Sequence, residues 1–121
     1  MRGSNPALAS KYLPQFQALL RANETLLTAS ASINVKISEM YGRTAGDGTL
    51  GVTNQRIIHI SRLGTIGIEL TGIISASKKW IVLPGSSQLD LVTKETDGQQ
   101  NTYSFYCGTG FSKDVLTILN K

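Results

Sequence analysis

Polar and apolar positions fall into three regimes along the chain: helical spacing at the start, a long stretch of period two, and helical spacing again at the end. Leu8, Tyr12, Phe16, Leu19 and Leu20 recur every three or four residues and predict an amphipathic helix over 5–22 with its stripe on a core. Asn5-Pro6 suits its start, because Asn caps well and Pro at the first helical position gives up only an N–H that has no helical partner. Pro14 falls inside the span and is expected to kink the helix or restart it after a break.

From Leu27 the period drops to two. Leu27, Ala29, Ala31, Ile33, Val35 and Ile37 alternate with Thr28, Ser30, Ser32, Asn34, Lys36 and Ser38, which predicts a long strand burying its apolar set. The three glycines of "GRTAGDG" (42–48) read as a turn. Leu50 and Val52 lead into a tight turn at Thr53-Asn54-Gln55, and Arg56 to Ser61 returns as a strand whose Ile58 and Ile60 join them in one core. Ile66, Ile68 and Leu70 alternate up to Gly72. "IISASKKWIVL" (73–83) then closes on Pro84-Gly85, and Asp97-Gly98 joins "QLDLVT" (88–93) to "NTYSFYC" (101–107). Past Gly108 and Gly110, Val115, Leu116 and Leu119 form the face of a helix over 112–120, with Ser112 as N-cap, Asp114 in the first turn and Phe111 stapled onto Leu116. No repeat or linker interrupts the order, so 5–121 reads as a single domain with its strands over 24–107. About seven short antiparallel strands predict a sandwich or small barrel.

Composition narrows the class. At 121 residues and 13.0 kDa, with 40% hydrophobic and 17% charged residues, the chain suits one soluble globular domain. No apolar run approaches the roughly 18 residues of a membrane span. The start lacks the apolar stretch of a signal peptide, so a cytoplasmic setting is expected. Met1 to Ser4, "MRGS", reads as a tag or a disordered start. Cys107 is the only cysteine and His59 the only histidine, which excludes an internal disulfide and a structural zinc cluster; neither metal nor cofactor is expected. The formal charge of +4 and pI of about 9.4 favour acidic partners, although the basic residues are scattered and only Lys78-Lys79 are adjacent.

A helix, about seven antiparallel strands and a C-terminal amphipathic helix is the layout of the pleckstrin-homology (PH) superfold. "GTLGVTNQRIIHIS" (48–61), followed by "GIELTGIISASKKW" (67–80), resembles bacterial PH-like and GRAM domains, whose pattern runs Gly-x-Leu-x-Val/Leu-Thr-Asn-x-Arg-Ile/Leu-Ile-x-Ile-Ser. The likeness is dense over 48–77 and topological over 24–121. Glu24 in "ANETLL" stands where many such domains carry a Gly/Asn-Glu pair opening the first strand. The resemblance implies a bent antiparallel barrel plugged by the C-terminal helix, binding lipids, proteins or its own copies, with no shared catalytic residue. Lipid-binding PH domains carry a basic motif across the first two strands. Here that region offers Lys36 and Arg43, diluted by Glu39 and Asp47, which argues against a specific inositol-phosphate site.

Catalytic constellations are missing from the sequence. His59, between Ile58 and Ile60, reads as a surface or barrel-end histidine without a triad partner, and Cys107 as an inert core thiol. "GTG" (108–110) is a turn and lacks the rest of a phosphate loop. Arg56 beside its turn is expected to bond carbonyls. The strongest surface cluster is Lys78-Lys79-Trp80, a cation pair beside an indole; with Lys36 and Arg43 it makes the candidate binding surface. Its blander reading has the Lys78 stem lying along a partly buried Trp80. The leading expectation is a non-enzymatic PH-like interaction module acting through protein contacts or self-assembly into a homo-oligomer. The alternatives are an OB-like or Sm-like nucleic-acid-binding barrel and peripheral binding to anionic lipid. No small-molecule substrate is evident.

Overall fold

A computed structural model describes residues 6–37, 40–41, 47–62, 64–82 and 84–120. Helix α1 (Pro6–Leu19) precedes β1 (Leu26–Ile37), β2 (Met40–Tyr41), β3 (Asp47–Thr53), β4 (Arg56–Ser61) and β5 (Gly64–Glu69). A 3-10 turn (Leu70–Gly72) leads to β6 (Ile73–Trp80), β7 (Ser86–Lys94), β8 (Gln100–Gly108) and α2 (Thr109–Leu119). Seven strands form one antiparallel path in the order β5-β4-β3-β1-β8-β7-β6, and the short β2 pairs with the end of β1. Strand β1 is therefore central, and β5 and β6 are the two free edges. The strands thus follow the antiparallel layout expected from the sequence, with α2 packed over β6, β7, β8 and β1.

Helix α1 runs through Pro14 without a break. Leu13, Pro14 and Gln15 are exposed, so the proline sits on the wet face. The helix stops three residues short of the expected end, where Asn23 turns the chain at φ 64, a left-handed conformation that Asn tolerates.

The period of two holds apart from register shifts at Leu26/Thr28, Asn34/Lys36 and Ile73/Ser75, but over residues 28–33 β1 presents the opposite face. Antiparallel partners share a face. Ser30 partners Leu50 and Ser32 partners Cys107, both core residues, so the small polar set of β1 lines the barrel interior. The apolar residues up to Ile33 face outward: Ala29 lies beside Gly51 under α1, while Leu27 and Ile33 are exposed. Strand β4 departs in a related way. Ile58 and Ile60 do not join Leu50 and Val52 in the barrel; they form a separate cluster with Tyr12 and Phe16 of α1. Ile57 and His59 take the inward positions instead. With α1 on one side and the barrel core on the other, β4 is buried on both faces and its apolar run is continuous, as for strands covered on both sides.

The glycines of "GTLGV" permit that layering. A Cβ on Gly51 would stand 2.7 Å from the Phe16 ring and 2.9 Å from Leu26, and one on Gly48 would strike the Ile60 carbonyl. At the far end α2 starts at Thr109, with Gly108 rather than Ser112 as N-cap. Starting early delivers Phe111 fully into the core, and Ser112 is buried against Cys107 with its Oγ 3.2 Å from the sulfur. Asp114 consequently lies beyond the first turn.

Candidate functional site

Strand β6 ends the sheet, so one row of its backbone N–H and C=O groups has no strand partner among the described residues. Its burial pattern shows most of its side chains open to solvent. Trp80 is 83% exposed, not partly buried as expected, because it lies in the last register pair, opposite Ser87, at the rim of the sheet. Val82 beyond it is equally exposed and Ile74 is 52% exposed. Lys78, opposite the core residue Leu89, shares the Trp80 side of the strand; Ser75, Ser77 and Lys79 take the other side.

The two lysines differ in their freedom. Lys79 Nζ lies 3.3 Å from Asp90 Oδ2. Asp90 Oδ1 accepts hydrogen bonds from Gln88 Nε2 at 2.9 Å and Ser104 Oγ at 2.7 Å. Burial works against the Asp90 carboxylate, but these donors and Lys79 outweigh it and hold its pKa below the usual range. Lys78 has no carboxylate partner among the described residues.

Lys36 is not part of this cluster. Its register runs through Ser104 and Asp90 to Ser77, three strand spacings or about 14 Å away at about 4.8 Å each. Arg43 lies outside the described residues. Ile74 and Val82, by contrast, belong to the surface and escaped the sequence reading; their signal was apolar residues bracketing a polar strand centre.

A second polar cluster locks α1 to the barrel. Glu24, its side chain fully buried, accepts from Arg56 Nε at 2.9 Å and Nη2 at 3.1 Å, from Thr53 Oγ1 at 2.7 Å and from the Arg21 amide at 2.8 Å. The Arg56 hydrogen bonds first, aided by those from Arg21 and Thr53 and opposed by burial, pull the Glu24 pKa down to about 2. Arg56 Nη2 also donates to the Leu19 carbonyl at 2.6 Å, the carbonyl contact expected of it. The Asn54 side chain receives the Thr25 amide and donates to the Asn23 carbonyl, both at 2.9 Å. "TNQR" and "NE" are thus two halves of one structural clasp.

Among the described residues the remaining titratable groups are structural or solvated. His59 is a barrel-interior residue, 1% exposed with its ring 5.2 Å from that of Phe105, and not a surface or barrel-end one. Neither ring nitrogen has a hydrogen-bond partner among the described residues, and burial lowers its pKa to about 4. Burial pushes the Cys107 thiol up to about 11 against the Ser112 hydrogen bond. A corner cavity of about 340 Å³ between β5 and the end of β7 is lined by Glu69, Thr93, Glu95 and Tyr103 among others. Its carboxylates are engaged, Glu69 by Arg21 and Glu95 by Thr93 and Asn101. Among the described residues no three of His, Cys, Asp or Glu gather as metal ligands would, and no helix is long and apolar enough to cross a membrane.

No known family's sequence profile matches the chain, and no curated protein matches it by sequence. Solved structures do. The N-terminal PH domain of Vps36 superposes with a TM-score of 0.66 at 24% identity, covering 84% of this chain and 83% of that one. The C-terminal domain of an unknown protein from Leishmania infantum gives a TM-score of 0.64 at 18% identity, covering 93% of this chain and 97% of that one. These likenesses show the PH-like fold.

Proposed function

We propose that this chain is a non-enzymatic PH-like interaction module, of the bacterial PH-like or GRAM-like kind, working in the cytoplasm through protein contacts or self-assembly at β6. The observation that carries the reading is a sheet edge that ends in Trp80, with Val82 just beyond it, each 83% exposed, beside Lys78, which has no carboxylate partner among the described residues. An exposed indole is the kind of side chain that protein interfaces concentrate.

The competing occupants are single-stranded nucleic acid and anionic lipid, because an ammonium beside an open indole suits a base and its phosphate, or a headgroup. Lys79 is held by Asp90, which leaves this cluster one free ammonium where a phosphate-tracking groove uses several.

Light scattering and affinity capture on the same sample test the reading, with Trp80→Ser as the matched control. The expected result is a defined oligomer or a captured protein that the variant loses. A strict monomer whose captured proteins are the same with and without the indole would overturn it. So would steeply salt-dependent binding to oligonucleotides, or cosedimentation with anionic but not neutral vesicles.

A further inference from the structure

We infer that the free edge of β6 accepts an extended acidic segment of a partner protein as an additional strand. The inference rests on the reading of β6 as a binding edge and names its occupant. An edge strand offers alternating amide donors and carbonyl acceptors that only another extended backbone satisfies in series. From Ser75 to Trp80, past the irregularity between Ile73 and Ser75, the register with β7 is unbroken, so that edge offers a regular row of groups along about 20 Å at about 3.3 Å per residue. Segments of this kind dock by main-chain hydrogen bonds and are selected by the side chains flanking the edge.

Those flanking side chains choose between a second copy of this chain and a foreign strand. Pairing β6 with itself would gather two Lys78 and two Lys79 ammoniums into one two-stranded ribbon, and lysines on an edge are a device against such self-pairing. The charges that oppose a copy favour an acidic strand, as does the formal charge of +4. Lys78 supplies the unpaired cation. Trp80, on the same side of the strand, supplies an apolar wall for a neighbouring aliphatic or aromatic side chain. Lys79 stays tethered to Asp90 and presents its stem to the other side.

The test uses the full chain and a short capped peptide with glutamates at its centre and valine and threonine on either side. Trp80, the only tryptophan, reports on the site directly through its emission. Millimolar peptide should shift that emission to the blue and protect the amides of residues 75–80 from hydrogen exchange. Replacing the glutamates by lysines, or Lys78→Glu in the protein, should weaken binding about five-fold or more at low salt. Alternate N-methylation of the peptide backbone, which removes the donors a ladder needs, should abolish it. Equal binding of acidic and basic peptides, survival of the N-methylated peptide, or no protection at 75–80 would overturn the inference. Protection of 75–80 that grows with protein concentration alone, together with a doubled mass, would give the edge to a second copy instead. Failure of the peptide while Trp80→Ser still loses a captured protein would sink the strand-addition inference and leave the interaction module standing.

Discussion

Acid should destabilise this fold in two separate steps, and the first belongs to His59. The imidazole is buried with both nitrogens unpartnered, and its pKa falls from 6.5 to about 4. The unfolded chain therefore takes up the proton first. Stability is complete above pH 6.5, declines as the pH falls through the window, and the whole contribution is gone below about pH 4. At 1.36 kcal/mol per pH unit the span is worth about 3 kcal/mol, a large share of the 5–15 kcal/mol that holds a typical domain together. Urea unfolding followed by circular dichroism at several pH values measures it. Trp80 fluorescence is a poor probe of unfolding here, since the indole is already wet in the native state. Wild type should lose about 3 kcal/mol between pH 6.5 and 4, and His59→Leu should lose far less. Parallel curves for the two proteins would refute the assignment.

The second step belongs to carboxylates: Glu24, whose pKa is held near 2 against 4.5, contributes stability that is present above pH 4.5 and fades as the pH falls to 2, and Asp90 and Glu69, also lowered, add to that window; Glu24→Gln should shrink the lower window and leave the upper one unchanged. Glu24→Gln or Arg56→Met should each cost about 3–5 kcal/mol in denaturant unfolding, with the double variant well short of additive, because either single change strands a buried charge or polar group. Gly51→Ala should cost about 1–3 kcal/mol, since the new methyl presses on Phe16 and Leu26, and pairing it with Phe16→Leu should recover part of the loss. Cys107 should stay unreactive toward a thiol reagent at neutral pH until the protein unfolds, with a rate that tracks global opening.

Much of the architecture was legible because period-two alternation and the Pro84-Gly85 and Asp97-Gly98 turns are local signals. Which face of β1 points inward was not. Alternation says that two faces differ, and the apolar one was assigned to the barrel, whereas α1 and open solvent receive it and Ser30 and Ser32 go inside. Ile58 and Ile60 misled for the same reason: a strand covered on both sides has two apolar faces to assign. The start of α2 was hidden because its cap is a glycine without a side-chain hydrogen bond, while Ser112 imitated one. At the candidate surface, Lys78 and Trp80 stood out as neighbours in sequence. The tether from Lys79 to Asp90 crosses strands and has no local trace.

The position of β1 also carries a consequence for how the chain is made. Its two edges are completed by segments at very different separations along the chain, β3 soon after it and β8 much later, and the Gly108 amide reaches Ser30 Oγ across 78 residues. On a ribosome the first edge can close early, while the second stays open until β8 has been synthesised. For that interval the central strand of the finished barrel is an exposed edge, with the apolar side chains of β3 and β4 beside it and no α2 above them. An unpaired strand of that kind invites edge-to-edge pairing with other chains, so the hazard for aggregation is greatest before β8 and α2 are in place.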